Sequence, residues 1–468
     1  MMQSIRKSAR GALALSLTAA GAAGAQAQAN TVSPSAVTTK ITTRQLPAAM
    51  ATSTDSIGSV AAIRQLPNGN VLVNDQARRR VIMLDKDMKL VGVVADSTSS
   101  TANAYGVRAG GLMAYRGDST LFVDPASLSM LVIDPSGKII RTMAAPRPND
   151  VNFLTGGALG NPGFDAKGRL VYRTIDFGFG RGGPRPEPGK PFVPPTPPDS
   201  SALVRFDLAT RKLDTVGFYK IPKANVQMTQ TPEGGMRVSV IMNPLPVIDE
   251  WAVMSDGTVA FLRGRDYHVD FIDASGAKTS AEKIPYEWQR MTDDDKQRFL
   301  DSSKVAIEKQ RAAMPAGGGA GQGRGGLADA ASAILGGALP ERMTITMSHS
   351  AGGDGPPRVQ MGDGPGRGGA EGPPPVQMVP ASELPDYKPV FGAGSVRADM
   401  DGRLWVRTIP TKATTGGAIY DVIDRSGKLV DRVQVPAGTT IAGFGAGGVV
   451  YLGSRDASGL HVQRIATR

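Results

Sequence analysis

Five arginines follow the predicted ends of short apolar strands, and they have the clearest chemical potential in this chain. They are Arg173, Arg263, Arg265, Arg407 and Arg455. A guanidinium binds a carboxylate, phosphate or sulfate through parallel N–H donors, most strongly where water is excluded. If these side chains converge, they form a mouth that binds an anion. The alternative is that they pair with acids nearby in the sequence, namely Asp176, Asp266 and Asp456.

Two further polar side chains follow equivalent strands earlier in the chain. Asn74 and Asp124 would add amide and carboxylate oxygens to the same mouth. With Asn161 or Asn243 they could supply the oxygen ligands that calcium prefers. The chain has no Cys and three His, which excludes disulfides, Cys-ligated zinc and a Cys nucleophile. We therefore expect no required cofactor, with calcium as the one possible metal.

These side chains are positioned by a repeated strand signal. A turn containing Gly or Asp precedes a short apolar strand six times. The strands contain Val71, Leu121, Leu170, Val259, Leu404 and Val449. Three of the five intervals match a four-stranded unit of about 40–50 residues, and the other two are longer. The repeat predicts an all-β, six-bladed β-propeller.

A second pattern completes each unit. An apolar strand ends in Asp and is followed by a tight turn and another strand. The aspartates are Asp85, Asp134, Asp207, Asp273 and Asp424. An Asp at the start of a turn accepts hydrogen bonds from backbone N–H groups further along, which favours hairpin turns over calcium sites.

One repeat resembles a known family. The segment from Asn70 to Leu84 is similar to an NHL-type repeat, with Arg80 at the characteristic arginine position of that family. The resemblance implies a six-bladed ring that is often used for binding. Rings of this kind are sometimes used for metal-dependent lyase or lactonase chemistry, and the resemblance does not by itself imply either use here.

The last unit supplies only three strands before the chain ends. Residues 38–46 alternate between apolar and polar side chains and are predicted to be the outer strand of blade six. Pairing the two ends of the chain in this way removes exposed strand edges.

Three long segments interrupt the units, at 178–200, 221–249 and 285–389. All three fall in connections that leave the same face of an antiparallel blade, so they predict one decorated face. Within the longest, we expect a helix over 293–313 and disorder over 315–380, which is rich in Gly and Pro.

The N-terminus is predicted to be a signal peptide, residues 1–29, with cleavage after Ala27 or Ala29. Residues 30–468 then form the propeller. No later segment has about 20 consecutive apolar residues, so no membrane span is expected. The location that follows is periplasmic or secreted.

The net charge of +11 favours anionic partners. Aromatic residues do not interleave with the basic ones, so nucleic acid is not expected. We predict a monomeric binding module for an anionic small molecule, a glycan or a protein partner, with no catalytic residues assigned. The alternatives are a calcium-dependent hydrolase or lyase and an envelope scaffold.

Overall fold

The computed structural model describes residues 41–97, 104–157, 160–174, 198–223, 225–230, 236–313, 345–348, 358–361, 377–411 and 414–467. The predicted signal peptide at 1–29, most of the insertion at 178–200 and most of 315–380 lie outside these ranges. None of the described helices has both the length and the apolar composition that a bilayer crossing requires.

The first half of the described chain contains two short N-terminal strands and three blades. The N-terminal strands are β1 (Thr43–Gln45) and β2 (Ala51–Thr52). Blade one comprises β3 (Val60–Gln65), β4 (Val71–Asp75), β5 (Arg80–Leu84) and β6 (Leu90–Ala95). Blade two comprises β7 (Gly111–Ala114), β8 (Thr120–Asp124), β9 (Ser129–Ile133) and β10 (Ile139–Ala144). A 3₁₀ helix, Pro148–Leu154, precedes blade three, which comprises β11 (Gly163–Phe164), β12 (Leu170–Thr174), β13 (Ser200–Phe206) and β14 (Leu213–Lys220).

The second half contains three more blades and the inserted elements. A hairpin of β15 (Asn225–Gln230) and β16 (Met236–Ile241) precedes blade four, which comprises β17 (Glu250–Val253), β18 (Val259–Arg263), β19 (His268–Ile272) and β20 (Lys278–Ser280). Helix α1 (Asp293–Ala313), β21 (Ile345–Ser348), β22 (Arg358–Met361) and a 3₁₀ turn (Ala381–Glu383) follow. Blade five comprises β23 (Phe391–Ala398), β24 (Leu404–Thr408), β25 (Ile419–Ile423) and β26 (Leu429–Gln434). Blade six has β27 (Thr439–Gly445), β28 (Val449–Asp456) and β29 (Gly459–Ala466).

The six sheets form the predicted six-bladed propeller. Within each blade the strands pair antiparallel in chain order. The first strands of neighbouring blades contact one another, for example β27 with β3 and β3 with β7, so the first strands surround the centre. The second strands are buried on both faces because each blade is covered by its neighbours; all five residues of β4 are buried. This explains why those strands are continuous apolar runs.

The aspartates of the second pattern form hairpin turns, as predicted. The Asp134 carboxylate accepts the backbone N–H groups of Ser136 and Lys138, each at 2.9 Å. Gly137 completes this turn with a φ of 86°, a conformation that costs glycine little. The same arrangement recurs around Asp424.

An N-terminal strand closes the last blade, but it is not the predicted segment. The outer strand of blade six is β2, which pairs antiparallel with β29. Within residues 38–46 the strand is β1, which pairs in parallel with β26 and adds a fifth strand to blade five. The prediction that 38–46 closes blade six was therefore wrong.

Side-chain contacts explain the pairing of both strands. Arg44 in β1 forms an ion pair with Asp431 of blade five at 2.6 Å. Next to β2, the Ser53 hydroxyl accepts the backbone N–H of Val462 at 3.0 Å, and the Ser53 carbonyl lies 2.8 Å from His461 Nδ1. Alternation in a sequence predicts an edge strand, but it does not say which edge the strand will join.

The inserted helix has the predicted bounds. Its first turn is capped reciprocally: the Thr292 backbone N–H donates to the Asp295 carboxylate at 3.0 Å, and the Asp295 backbone N–H donates to the Thr292 hydroxyl at 3.2 Å. Three consecutive aspartates, Asp293 to Asp295, place negative charge at the positive end of the helix dipole.

Two of the insertions pack together into a cap, which we define as residues 241–245, 290–300 and 377–387. A β-bridge joins Met242 to Met378. An apolar cluster fills the space between the segments: Leu245, Met291, Leu300, Val379 and Leu384. Both insertions connect the last strand of one blade to the first strand of the next, so they leave the same face of the ring.

Candidate functional site

Arg263 is held by two carboxylates. Its Nε donates to Asp270 at 2.8 Å, and its Nη1 donates to Asp249 at 2.9 Å. Burial lowers the pKa of Arg263, but these two hydrogen bonds outweigh burial and raise it. Its charge is therefore balanced within the protein. The ion pair agrees with the alternative that these arginines are structural, although Asp266 is not the partner.

Three of the other predicted arginines are exposed. Arg265 follows β18, Arg407 lies in β24, and Arg455 lies near the end of β28. Their guanidinium groups are therefore in water, where an anion gains little from a single charge.

Asn74 and Asp124 are buried and form hydrogen bonds within the fold. The Asn74 amide donates to the Gly110 carbonyl at 2.8 Å and accepts the Tyr105 hydroxyl at 3.0 Å. The Asp124 carboxylate accepts the backbone N–H groups of Ala126 and Ser127.

The calcium hypothesis relied on these same oxygens. Asn161 accepts the Gly157 backbone N–H at 3.4 Å, and Asn243 accepts that of Leu245 at 2.9 Å. Within the described ranges, no three His, Cys, Asp or Glu side chains come together as a metal site. The four side-chain oxygens expected for calcium each accept a hydrogen bond from the protein itself.

Arg173 has a different environment from the other arginines. It lies in β12 and is only 3% exposed. Its register places it opposite Leu203, on the face of blade three that also presents Tyr219. The guanidinium carbon lies 5.9 Å from the centroid of the Phe153 ring and 5.8 Å from that of the Tyr219 ring. Arg173 is thus a cation enclosed by aromatic rings at the junction of blades three and four.

The guanidinium of Arg173 is incompletely satisfied. Among the described residues, neither its Nε nor its Nη2 has a hydrogen-bond partner. No carboxylate in the described ranges lies within ion-pair distance of it. A buried N–H donor without an acceptor costs about 1–3 kcal/mol.

Among the described carboxylates, Glu250 is the one whose charge raises the pKa of Arg173. It begins β17, it is 6% exposed, and its carboxylate accepts the Gly394 backbone N–H at 2.8 Å. Burial raises the pKa of Glu250 to about 8, outweighing Gly394 and Arg173, which lower it. Burial lowers the pKa of Arg173, against the effects of Tyr219 and Glu250. An arginine nevertheless stays protonated at neutral pH, so the site contains a cation beside a neutral carboxylic acid.

A bulge in β23 approaches Glu250. The register of β23 shifts between Phe391 and Val396, which leaves residues 392–395 as a bulge. Gly394 in this bulge has a φ of 69° and donates its backbone N–H to Glu250. The bulge thus brings a hydrogen-bond donor of blade five to the acid.

Arg173 lies next to the last residue of β12, close to where the sequence pattern predicts it, but the pattern does not predict its neighbours. Glu250 is separated from Arg173 by two inserted segments, and Tyr219 is on another strand. Neither has a local motif, and only the packing of blade four against blade three brings them to Arg173. An acidic residue at the start of an otherwise apolar inner strand, Glu250-Trp251-Ala252-Val253, was the one available signal.

Comparison with known proteins supports no assignment to a family. No family model matches the chain, and no curated protein matches it. Among solved structures, it is similar to a streptogramin B lyase (9% identity, 89% of this chain and 86% of that one, TM-score 0.32). It is also similar to a gluconolactonase from Xanthomonas campestris (11%, 90% and 99%, 0.32). A third is regucalcin, a calcium-binding protein from Agrobacterium tumefaciens (11%, 91% and 97%, 0.33). Likeness this remote carries no argument about activity, and the propeller assignment rests on the sheet topology.

Proposed function

We propose that this protein is an exported β-propeller that binds a small carboxylate ligand at the junction of blades three and four, with Arg173 as the residue that holds the carboxylate. The observation that supports this function is the buried Arg173 guanidinium, whose Nε and Nη2 have no partner among the described residues. Nε and one Nη of a guanidinium form the edge that a carboxylate binds with two parallel hydrogen bonds.

The energetics favour a missing partner over a purely structural role. Contacts between Arg173 and the two rings contribute about 0.5–2 kcal/mol. Two unsatisfied buried donors cost about 1–3 kcal/mol each, and the burial of the charge adds to that. A bound carboxylate would remove both costs.

The surroundings of Arg173 indicate the kind of carboxylate. Phe153 and Tyr219 flank the guanidinium, and neutral Glu250 can donate one hydrogen bond. A ring-bearing acid, either aromatic or a uronic sugar, would place its ring against the aromatic side chains and a hydroxyl or ring oxygen near Glu250.

Calorimetric titration tests the proposal, with benzoate and glucuronate as probes. Arg173→Met should weaken binding of whichever probe binds by at least about 10-fold, since a charge-assisted pair contributes roughly 1.5–3 kcal/mol. Arg265→Met is the matched control because it removes the same charge from an exposed position, and it should change the affinity by less than about 2-fold.

Three results would contradict the proposal. Neither probe binds the native protein, Arg173→Met binds as the native protein does, or the two variants lose affinity equally. The last result would indicate non-specific attraction to a basic protein.

A further inference from the structure

Two arginines, Arg397 and Arg407, lie on the face of blade five that packs against blade six. Arg397 in β23 is opposite Trp405 in β24. Arg407 lies two residues after Trp405 in β24. Residues two apart in a strand share a face, so the two arginines are diagonal neighbours. Tyr420 is opposite Arg407 on the next strand and shares that face.

This face of blade five packs against blade six. The Trp405 and Phe444 rings lie 5.3 Å apart, and Arg397 Nη1 donates to the Ala442 carbonyl at 3.3 Å. Arg397 is partly buried and Arg407 is exposed. The pair therefore extends from the interface between the blades to the surface.

The acids near this pair of arginines form hydrogen bonds or ion pairs with other residues. Asp399, on the same strand as Arg397, accepts the Trp405 indole N–H at 3.0 Å and the Arg403 backbone N–H at 2.8 Å. Asp421, next to Tyr420, pairs with Arg432 at 2.6 Å. In the described part of the chain, no carboxylate comes within 4.0 Å of the guanidinium of Arg397 or Arg407.

The two charges act on each other. Burial lowers the pKa of Arg397, and Arg407 lowers it further, against the opposing effect of Tyr420. Two like charges that share a partly buried face destabilise the fold unless an anion lies between them. Packing of the arginine stem accounts for the position of Arg397. Arg407 adds a second guanidinium on the same face, at the solvent-exposed end of the pair.

We propose that Arg397 and Arg407 form an oxyanion site between blades five and six, separate from the Arg173 site, and that it binds a phosphate group. Two guanidinium groups match the charge and the several acceptor oxygens of a phosphate better than the single charge of a carboxylate. The phosphate could be free or part of an ester, and the two sources share this chemistry.

Thermal unfolding at constant ionic strength tests the site, with chloride replaced by inorganic phosphate or by glycerol 3-phosphate. Phosphate should raise the unfolding midpoint of the native protein, and Arg407→Met should abolish at least about four-fifths of that rise. If only glycerol 3-phosphate acts, the site binds an ester; if both act, it binds the free ion as well. Arg265→Met and Arg173→Met should retain the effect, so failure here is distinguishable from failure of the carboxylate site.

A second readout needs no ligand. In phosphate-free buffer, Arg407→Met should raise the unfolding midpoint, because it removes the repulsion on Arg397. Arg407 is exposed, so this variant should fold even if Arg397→Lys does not. The proposal is overturned if neither phosphate compound stabilises the native protein more than chloride does, or if Arg407→Met responds to phosphate as the native protein does.

Discussion

Glu250 and Asp270 are both buried acids of blade four, and their pKa values shift in opposite directions. Glu250 has one backbone hydrogen bond and no ion pair within the described ranges, so burial raises its pKa. Burial also raises the pKa of Asp270, but hydrogen bonds from Ser280, Arg263 and Lys278 outweigh it and lower the pKa to about 2. The number of hydrogen-bond and ion-pair partners, rather than burial alone, thus decides whether Glu250 and Asp270 are charged at neutral pH.

The raised pKa of Glu250 predicts a loss of stability as pH rises from about 4.5 to about 8. The native state holds this proton up to about pH 8, whereas the unfolded chain releases it near pH 4.5. The free energy of unfolding should therefore fall as pH rises between these values. Glu250→Gln keeps the acceptor for Gly394 and removes the charge. Relative to the native protein, it should gain about 2–4 kcal/mol between pH 5 and pH 8 in urea unfolding. Parallel pH profiles would refute the assignment.

The lowered pKa of Asp270 predicts the opposite dependence. Its contribution is present above pH 3.8, its ordinary pKa, and is lost as pH falls towards 2. Asp270→Asn should cost about 1–2 kcal/mol at pH 7, after allowance for screening of the exposed Lys278, and almost nothing at pH 2. Chemical unfolding at the two pH values measures the difference. An equal cost at both would mean that Asp270 acts through packing rather than through charge.

The sequence predicts that Arg263 pairs with an acid, but it does not predict which acid. Arg263 was expected beside an acid, yet its partners are Asp249, at the end of an insertion, and Asp270, across the hairpin. Nearness in sequence favoured Asp266, which instead contacts His268. Separation along the sequence therefore does not identify the ion-pair partner of Arg263, because an insertion brings Asp249 to it.

At the scale of elements, local signals determined the helix well and the closing strand poorly. Thr292 and Asp295 define the start of α1, and both the signal and its effect lie within one turn. The choice between β1 and β2 depends on which sheet edge each strand meets after the ring has formed. That is a long-range property, and residues 38–46 do not encode it.

Two glycines before blade three test the packing between blades. Gly160 has a φ of 90°, and an added Cβ would lie 2.4 Å from Trp251. Gly157 has a φ of 79° with nothing within 4 Å, so it is a matched control. Gly157→Ala should cost about 1–2 kcal/mol from backbone strain alone. Gly160→Ala should cost at least about 1–3 kcal/mol more, because Trp251 is 1% exposed and has no room to move.

Urea unfolding gives both costs, and Trp251 fluorescence reports whether the indole moves. Equal costs for the two variants would contradict the close approach of Gly160 to blade four.

At the scale of the whole molecule, ring closure depends on a strand of two residues. Deleting residues 1–48 removes β1 and leaves β2, whereas deleting residues 1–56 removes both. The 1–56 deletion should lower the unfolding midpoint by roughly twice as much as the 1–48 deletion, or more. It should also promote self-association, because it exposes the edge of β29. Calorimetry and light scattering compare the two truncations. Equal losses from the two deletions would mean that β1 is the closing element, since both deletions remove it.

The arrangement of six blades could be predicted because each repeat carries its own strand and turn signals. The site could be predicted only in part, because it belongs to three blades at once. Arg173 comes from blade three, Glu250 from blade four, and the N–H that holds Glu250 from Gly394 in blade five. A property shared by three repeats has no signature within any one of them.

The most direct test of the carboxylate site is a crystal of the protein soaked with 4-bromobenzoate, with anomalous scattering used to locate the bromine. We expect a bromine peak at the junction of blades three and four, with the carboxylate oxygens within hydrogen-bond distance of Arg173 Nε and Nη2. A peak only at exposed arginines, with Arg173 bonded to an acceptor of the protein itself, would contradict it.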